Sequence, residues 1–295
     1  MSKINLILTC SSNKSIKADP SLSLKTFKKE EIELLSKKWI LNLQNPNLPS
    51  LPALDMYSGN YWNIVKKLNS HPNVEKIWVI SAGYGIININ DKIHSYNIGF
   101  KDKSLNSLKL NLKNHSPESL SDWWKIITSQ TNTIKDIFNP NETHILFSSF
   151  DYMKAIRYDI NNIIGSKNLF IVSPDTKIKD LNPYILNTPS NLRYILGGNK
   201  MTSSIKVVEH LVENPKLLTN KFDIDVYFQK LLASSLIPQH NRKIRKKIGD
   251  KEMIKLIQEI GVDSSHQTIF KYIRNKNIAA GEARIIRLIH KLTKQ

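Results

Sequence analysis

Short apolar runs alternate with amphipathic helical patterns along the first two thirds of the chain. The runs cover residues 4–9, 77–80, 144–148, 168–172 and 192–196. Each run has the length of a buried strand, and each ends in small or polar residues. Strands and helices in alternation are typical of an α/β fold with a doubly wound, mainly parallel central sheet. In such folds the ligand binds in a crevice at the carboxyl ends of the strands.

Polar residues at these strand ends predict the walls of a ligand pocket. The first run is followed by Cys-Ser-Ser-Asn-Lys and the second by Ser-Ala-Gly-Tyr-Gly, which bring hydroxyls, a cation and exposed backbone to the sheet edge. Taken singly, each residue also fits a turn, a core aromatic or a surface group, so the prediction depends on their convergence. The predicted pocket residues are Cys10, Ser11, Lys14, Tyr57, Gly59, Ser81, Gly83, Tyr84, Gly85, Tyr96, Asn97 and Asn199.

Two aspartates follow strand ends and are candidates for catalysis. Hydrolysis of a bond at an anomeric carbon requires a carboxylate that positions water and stabilises an oxocarbenium-like transition state. Asp91, just past the turn after the second run, is the first candidate, and Asp151, just past the third run, is the second. Tyr57 or Tyr84 would stack on a base that has been flipped out of a nucleic acid.

Positive charge is concentrated near the carboxyl terminus. The formal net charge is +18 and the sequence pI is near 9.7, which is typical of a protein that faces a polyanion. Residues 240–295 hold 14 Lys and Arg against 5 Asp and Glu, so this fifth of the chain carries a net charge of +9. An AT-rich coding bias towards Lys and Asn is the alternative explanation.

The same segment has the spacing of a helix-turn-helix. Residues 250–260 are helical in pattern, Gly261 ends that helix, and Ser264 or Ser265 is placed to cap a second helix that runs to about Arg274. A third helix covers residues 280–292. A basic three-helix cap on the core is the alternative. The predicted DNA contacts are Lys101, Lys103, Arg242, Arg245, Lys246, Lys247, His266, Gln267, Lys271, Arg274 and Arg284.

These patterns predict three parts: an α/β catalytic domain at 1–215, a connecting helix at 216–239 and a basic helical DNA-binding domain at 240–295. The single cysteine, Cys10, excludes an intramolecular disulfide and a thiolate zinc site. Neither a dinucleotide-binding nor a phosphate-binding glycine motif occurs. No apolar stretch reaches membrane-spanning length, and no signal peptide is recognisable. We expect a cytoplasmic monomer with no metal, no cofactor and no membrane contact, and with DNA as its partner.

Three short motifs resemble those of a poorly characterised bacterial and phage family. They are Cys-Ser-x-x-Lys at 10–14, Tyr-Ser-Gly-x-x-Trp at 57–62 and Ile-Ser-Ala-x-Tyr-Gly-Ile-Ile at 80–87, the last followed by Asp91 and Tyr96. The third motif is also similar to that of the peroxide-stress DNA-binding proteins, although Asn-Ile-Asn stands where those have proline. The tail at 278–284 resembles tails of the first family, without their usual cysteine and phenylalanine.

This resemblance, over roughly residues 3–96 and the tail, places the chain near the uracil-DNA glycosylase superfamily and its relatives in 7-deazaguanine base modification. The greatest similarity is to anti-phage DNA glycosylases that remove glucosylated hydroxymethylcytosine. It implies an enzyme that hydrolyses the N-glycosidic bond of a modified base in double-stranded phage DNA and leaves abasic sites, as antiviral defence. The glycosylase motifs Gly-Gln-Asp-Pro-Tyr and His-Pro-Ser-Pro are absent.

Two other functions remain open from the sequence. A base-exchange transferase would use the same crevice but needs a covalent nucleophile and a free base as second substrate. A non-enzymatic DNA-binding protein for stress protection would need only the basic surface. A substitution of Asp91 distinguishes this second alternative from an enzyme, because only the enzyme depends on the carboxylate.

Overall fold

The computed structural model describes residues 3–101, 104–174, 180–235, 245–261 and 264–292. The chain divides into two compact units, Met1–Ile237 and Pro238–Gln295. The predicted connecting helix corresponds to a helix of the first unit, in whose core Ile224 and Phe228 are buried.

Within the described residues, the first unit has seven strands. They are β1 (Ile4–Thr9), β2 (Ser50–Pro52), β3 (Val74–Ser81), β4 (Gly85–Asn88), β5 (Lys92–His94), β6 (Thr143–Phe147) and β7 (Leu169–Val172). Five of these form one sheet in the order β4-β3-β1-β6-β7, in which only β4 is antiparallel to its neighbour. The short strands β2 and β5 form a separate antiparallel pair.

The central strand explains why this sheet forms. All six residues of β1 are buried, as expected for a strand of a parallel sheet that is covered on both faces. Thr9 lies opposite Ile80 of β3, and Leu8 lies opposite Phe147 of β6. The carboxyl ends of the parallel strands therefore meet at one edge of the sheet.

Two groups of helices flank the sheet. The helices of the first unit are α1 (Ile32–Leu43), α2 (Ala53–Met56), α3 (Asn60–Asn69), α4 (Leu108–Asn111), α5 (Ser119–Thr128), α6 (Ile134–Ile137), α7 (Phe150–Asn161), α8 (Arg193–Leu196), α9 (Ser203–Glu213) and α10 (Lys221–Ser234). Helices α3 and α9 contact each other and the strands β3, β6 and β7, whereas α5 contacts α1, α7 and β4. In the described ranges, no helix is long and apolar enough to cross a membrane.

Four of the five predicted strands are confirmed, and the fifth is wrong. The apolar residues at 192–196 form the short helix α8 instead of a strand, because Pro189 and Ser190 begin a helical turn and Gly197 ends it at a φ of +79°. The remaining strand of the sheet is β4, at a place where the glycines predict only a loop. The chain thus has an α/β fold with a five-stranded, mostly parallel sheet between helices.

The second unit contains three helices in its described part: α11 (Asp250–Ile260), α12 (His266–Asn275) and α13 (Glu282–Leu292). These bounds confirm the predicted helices. Gly261 follows α11 at a φ of +96°, which a residue with a side chain rarely adopts. Ser265 caps α12, where its Oγ accepts a hydrogen bond from the Thr268 backbone N–H at 3.2 Å. The apolar faces of the three helices bury a separate small core that includes Met253, Ile269 and Ile285.

Candidate active site

A cavity of about 420 Å³ opens at the carboxyl ends of β1 and β6. The loop after β1, the N-terminal turn of α7 and the segment after β5 enclose this first cavity. Its lining residues are Cys10, Ser11, Ser12, Lys14, Asn97, Ile98, Gly99, Phe100, Lys101, Ser104, Asn106, Ser149, Asp151 and Tyr152. The cavity lies at the edge of the sheet where the fold class predicts a ligand site.

Behind this cavity, five side chains form a hydroxyl–thiol network: Cys10, Tyr57, Ser81, Tyr96 and Tyr152. The Tyr96 hydroxyl is its centre and lies 2.8 Å from the Tyr57 hydroxyl and 2.7 Å from Ser81 Oγ. It also donates to Cys10 Sγ at 3.5 Å, and the Tyr152 hydroxyl lies 3.1 Å from the same sulfur. Five separate segments of the chain are thereby joined at and beneath the cavity floor.

Burial keeps these phenols neutral. Loss of hydration raises the pKa of Tyr57, Tyr96 and Tyr152 well above the usual tyrosine value. A neutral phenol can donate one hydrogen bond and accept others, whereas a phenolate can only accept. The three tyrosines of the network therefore remain hydrogen-bond donors across the physiological pH range.

Lys14 lines the first cavity and packs against the tyrosine rings behind it. Its Nζ lies 4.1 Å from the centroid of the Tyr96 ring and 5.6 Å from that of Tyr57. Its backbone forms an isolated antiparallel bridge with Tyr57, which fixes the start of the side chain. Desolvation lowers the pKa of Lys14, although the nearby Cys10 thiol opposes part of this shift.

Asp151 reaches the cavity from the first turn of α7. β6 ends at Phe147, and Ser149 precedes the helix at the N-cap position. The positive end of the helix dipole favours negative charge at this point. Asp151 is partly buried and is the carboxylate of the first cavity among the described residues.

A second cavity of about 450 Å³ adjoins the first. Both are lined by Cys10, Ser11, Ser12, Ser149 and Tyr152. The second is completed by the turns before α3 and α9, where Gly59 and Asn199 lie. A Cβ on Gly59 would approach the Asn13 side chain to 2.9 Å, and its φ of +95° also favours glycine. In the part of the chain that the structure describes, only neutral side chains line this second cavity.

The structure does not bring Asp91, the first catalytic candidate, to either cavity. β4 begins beside Ser81 and ends beside Trp78, because it runs antiparallel to β3. The turn after β4 therefore lies away from the carboxyl edge of the sheet. Asp91 is exposed there, and its Oδ2 accepts a hydrogen bond from the Asn88 backbone N–H at 2.7 Å. This geometry makes it a turn-stabilising residue.

The predicted stacking residues do not face a cavity either. Tyr57 is fully buried in the hydroxyl–thiol network. The Tyr84 hydroxyl accepts a hydrogen bond from the His94 backbone N–H at 2.8 Å, and its ring packs edge-on against Tyr96. Gly83 accepts a hydrogen bond from Trp39 Nε1 at 2.9 Å, and Gly85 pairs with Ser81 in the sheet. These residues pack behind the cavity lining and hold it in place.

The first cavity combines a carboxylate, an amine and neutral hydrogen-bonding groups on one lining. No protein-family model, curated protein or solved structure matches the chain. The chemistry is therefore inferred from Asp151, Lys14 and Asn97 themselves. A carboxylate can position water or stabilise positive charge, and an amine can act as a nucleophile. In the described segments, no group of three or more His, Cys, Asp or Glu residues could hold a metal ion.

Eight residues of the lining are not among the predicted site residues: Ser12, Ile98, Gly99, Phe100, Ser104, Asn106, Ser149 and Tyr152. Ser149 and Tyr152 flank Asp151 at the start of α7, so the same strand end already indicated them. No strand end in the sequence precedes Phe100, so no pattern indicated it. It is buried against Tyr152, with 4.9 Å between the ring centroids, because the segment after β5 returns to the sheet edge.

The predicted DNA-contacting residues of the second unit differ in their solvent exposure and in the contacts that they make within the unit. Lys246, Lys247, Gln267 and Lys271 are exposed. Lys101 of the first unit is also exposed. Lys103, Arg242 and the side chain of His266 lie outside the described residues.

Two arginines of the second unit are engaged in its own structure. Arg284 donates to Asp250 Oδ1 and to the Ile248 carbonyl oxygen. Arg274 donates to the Ala280 carbonyl oxygen at 3.3 Å, and its guanidinium lies over the Phe270 ring. These contacts of Arg284 and Arg274 hold the unit together. Arg245 is half-buried.

Proposed function

We propose that the chain is a DNA glycosylase that hydrolyses the N-glycosidic bond of a base flipped into the first cavity. The observation that carries this proposal is that Asp151 and Lys14 line the same cavity, together with neutral hydrogen-bonding side chains. A volume of about 420 Å³ is within the range of roughly 300–1,000 Å³ that is typical of small-ligand pockets. A base with its sugar therefore fits in the space.

Asp151 is the catalytic carboxylate in this proposal. It orients a water molecule towards the anomeric carbon and stabilises the positive charge that develops on the sugar ring. Asn97, Ser11 and Ser149 supply donors and acceptors for the edge of the base. Phe100 and Tyr152 form the apolar wall that excludes bulk water and strengthens these interactions.

DNA is the polyanion that the charge distribution favours. Lys101 lies at the first cavity and is placed to meet a phosphate of the strand that delivers the base. In the second unit, exposed Lys246, Lys247 and Lys271 offer further phosphate contacts, and α11 with α12 forms the helix-turn-helix of this proposal. Binding should weaken steeply with salt, because each neutralised phosphate releases counterions.

The resemblance to the uracil-DNA glycosylase superfamily supports the finer parts of the proposal. It suggests that the sheet is doubly wound in the manner of that superfamily and that the substrate is glucosylated hydroxymethylcytosine in phage DNA. The proposed setting is a monomeric, cytoplasmic enzyme of antiviral defence. The motif residues Cys10, Ser11 and Lys14 all line the first cavity, which is the link between the resemblance and the geometry.

The test uses the whole chain and three phage DNA samples, which are unmodified, hydroxymethylated and glucosylated. We expect abasic sites and a released base, identified by mass spectrometry, from the glucosylated sample. Asp151→Asn is the matched variant and should release no base while it still binds the DNA. If none of the three samples gains abasic sites, the glycosylase proposal is wrong. Incorporation of a labelled free base without abasic sites would instead identify a base-exchange transferase.

A further inference from the structure

Lys14 differs from the lysines that form ion pairs in the described residues. Nine other lysines lie within 4.0 Å of a carboxylate, and all of them are at the surface: Lys3, Lys38, Lys66, Lys113, Lys125, Lys206, Lys221, Lys246 and Lys276. Lys14 instead lines the first cavity and lies against two tyrosine rings behind it. Across the described ranges, its Nζ has neither a salt-bridge partner nor a hydrogen-bond acceptor.

This environment favours an amine that reacts with carbonyl carbon. An ammonium has no lone pair, so a lysine acts as a nucleophile only in its neutral form. Removal from water disfavours the ammonium, and the pKa of Lys14 is lowered for this reason. The backbone bridge of Lys14 and the adjacent ring faces hold this side chain in place, and Lys14 and Asp151 line the same cavity.

We infer that Lys14 forms a Schiff base with the aldehyde of an abasic site and cleaves the DNA strand by β-elimination. The inference rests on the proposed function, in that the first cavity must accept the sugar of a DNA nucleotide. It adds an activity that base hydrolysis does not require, because a glycosylase that uses only water leaves the strand intact.

The reaction requires only Lys14, Asp151, the abasic DNA and water. The amine of Lys14 attacks C1′ of the open-chain aldehyde, and the carbinolamine loses water to give an imine. Asp151 takes a proton from C2′, and the electrons of that C–H bond form a C2′–C3′ double bond as the C3′–O bond breaks. The 5′-phosphate of the downstream strand leaves with those electrons. Water then hydrolyses the imine and restores Lys14.

The test uses an oligonucleotide with a preformed aldehydic abasic site, so that it does not depend on base release. Borohydride reduces an imine to a stable secondary amine and thereby traps the protein on the DNA. We expect a one-to-one adduct, and peptide mapping should place it on Lys14. Lys14→Met and Lys14→Arg should reduce the adduct by about tenfold or more, because neither side chain supplies a neutral amine at this position.

Two controls separate this reaction from nonspecific trapping by a lysine-rich protein. Lys37→Met is the matched variant, because Lys37 is exposed on α1 and does not line the cavity; its adduct should equal that of the wild type. A tetrahydrofuran analogue of the abasic site has no aldehyde, so it should bind and give no adduct. Equal binding of this analogue by wild type and Lys14→Arg shows that the variant is folded.

The rate of adduct formation should rise with pH and reach half its maximum below 10.5, the ordinary lysine value.

An adduct that is spread over surface lysines and persists in Lys14→Met would overturn the inference. So would the absence of an adduct from wild-type protein. Base release without an adduct would reject the inference alone and leave the glycosylase proposal standing. An adduct on Lys14 without base release from phage DNA would reject the glycosylase proposal alone.

Discussion

The hydroxyl of Tyr96 lies 2.7 Å from Oγ of Ser81, at the carboxyl end of β3. The two residues are fifteen positions apart in sequence, and between them the chain forms β4, the edge strand of the sheet, and β5 of the separate antiparallel pair. Ser81 Oγ also accepts hydrogen bonds from the backbone N–H groups of Gly83 and Tyr84. The contact therefore fixes the glycine turn and the returning segment against each other, and the first cavity forms in front of them.

The first prediction concerns this contact. Tyr96→Phe should lower the free energy of unfolding by about 1–3 kcal/mol, because the buried Tyr57 and Ser81 hydroxyls lose a partner. Urea denaturation with the linear extrapolation method measures the change. Tyr184→Phe is the control, since Tyr184 is 41% exposed and should change the stability little. Equal stability of Tyr96→Phe and the wild type would mean that the hydroxyls find other partners.

The second prediction separates the two candidate carboxylates. Asp151→Asn should reduce the rate of base release by about a hundredfold or more, since removal of one preorganised charge from an active site costs roughly this much. Asp91→Asn should release base at nearly the wild-type rate, because Asp91 lies outside both cavities. Single-turnover kinetics on glucosylated phage DNA provide the comparison.

Asp91→Asn should instead reduce stability by about 0.5–1.5 kcal/mol, because its carboxylate accepts the Asn88 N–H in the turn after β4. The opposite pattern, in which Asp91→Asn abolishes release and Asp151→Asn does not, would show that this assignment of the site is wrong.

The third prediction distinguishes DNA contact from structural support in the second unit. Lys271→Ala should reduce the slope of log K against log salt by about 0.9, the effect of one lost phosphate contact, without a change in Tm. Arg284→Ala should lower the Tm, because Arg284 joins α13 to Asp250 and to the Ile248 carbonyl. Fluorescence anisotropy across a salt series and calorimetry measure the two effects. A salt slope unchanged by Lys271→Ala would remove α12 from the proposed interface.

The fourth prediction concerns pH and stability. His144 is fully buried in β6, and desolvation lowers its pKa. The unfolded chain therefore binds a proton more readily than the folded chain does. Stability should fall as the pH is lowered through about 6.5, the ordinary histidine value, and the loss is complete once the pH is below the folded pKa.

His144→Gln should show a weaker pH dependence in urea titrations between about pH 8 and pH 5. His210, whose pKa burial also lowers, contributes in the same direction and remains in this variant. His115→Gln is the surface control. An unaltered pH profile in His144→Gln would exclude His144 as a source of acid sensitivity.

Local patterns predicted most of the elements and part of the lining of the first cavity. β1, the helices of the second unit and the Ser265 cap follow from apolar periodicity and capping residues, which depend on near neighbours in the chain. The run at 192–196 was misassigned because a short apolar segment suits a buried helix as well as a strand. Asp91 lies away from the expected edge of the sheet, because closeness to a strand end in sequence does not specify the direction of the next strand.

The sequence by itself determined that strands end in polar residues and that positive charge gathers in the last fifth of the chain. Both are properties of residue type and order. Only the tertiary structure decided which strand ends share a cavity, because that depends on the strand order and on β4 running antiparallel to β3. The antiparallel turn carries Asp91 away from the carboxyl edge, whereas the parallel register of β1 and β6 brings Lys14 and Asp151 to one lining.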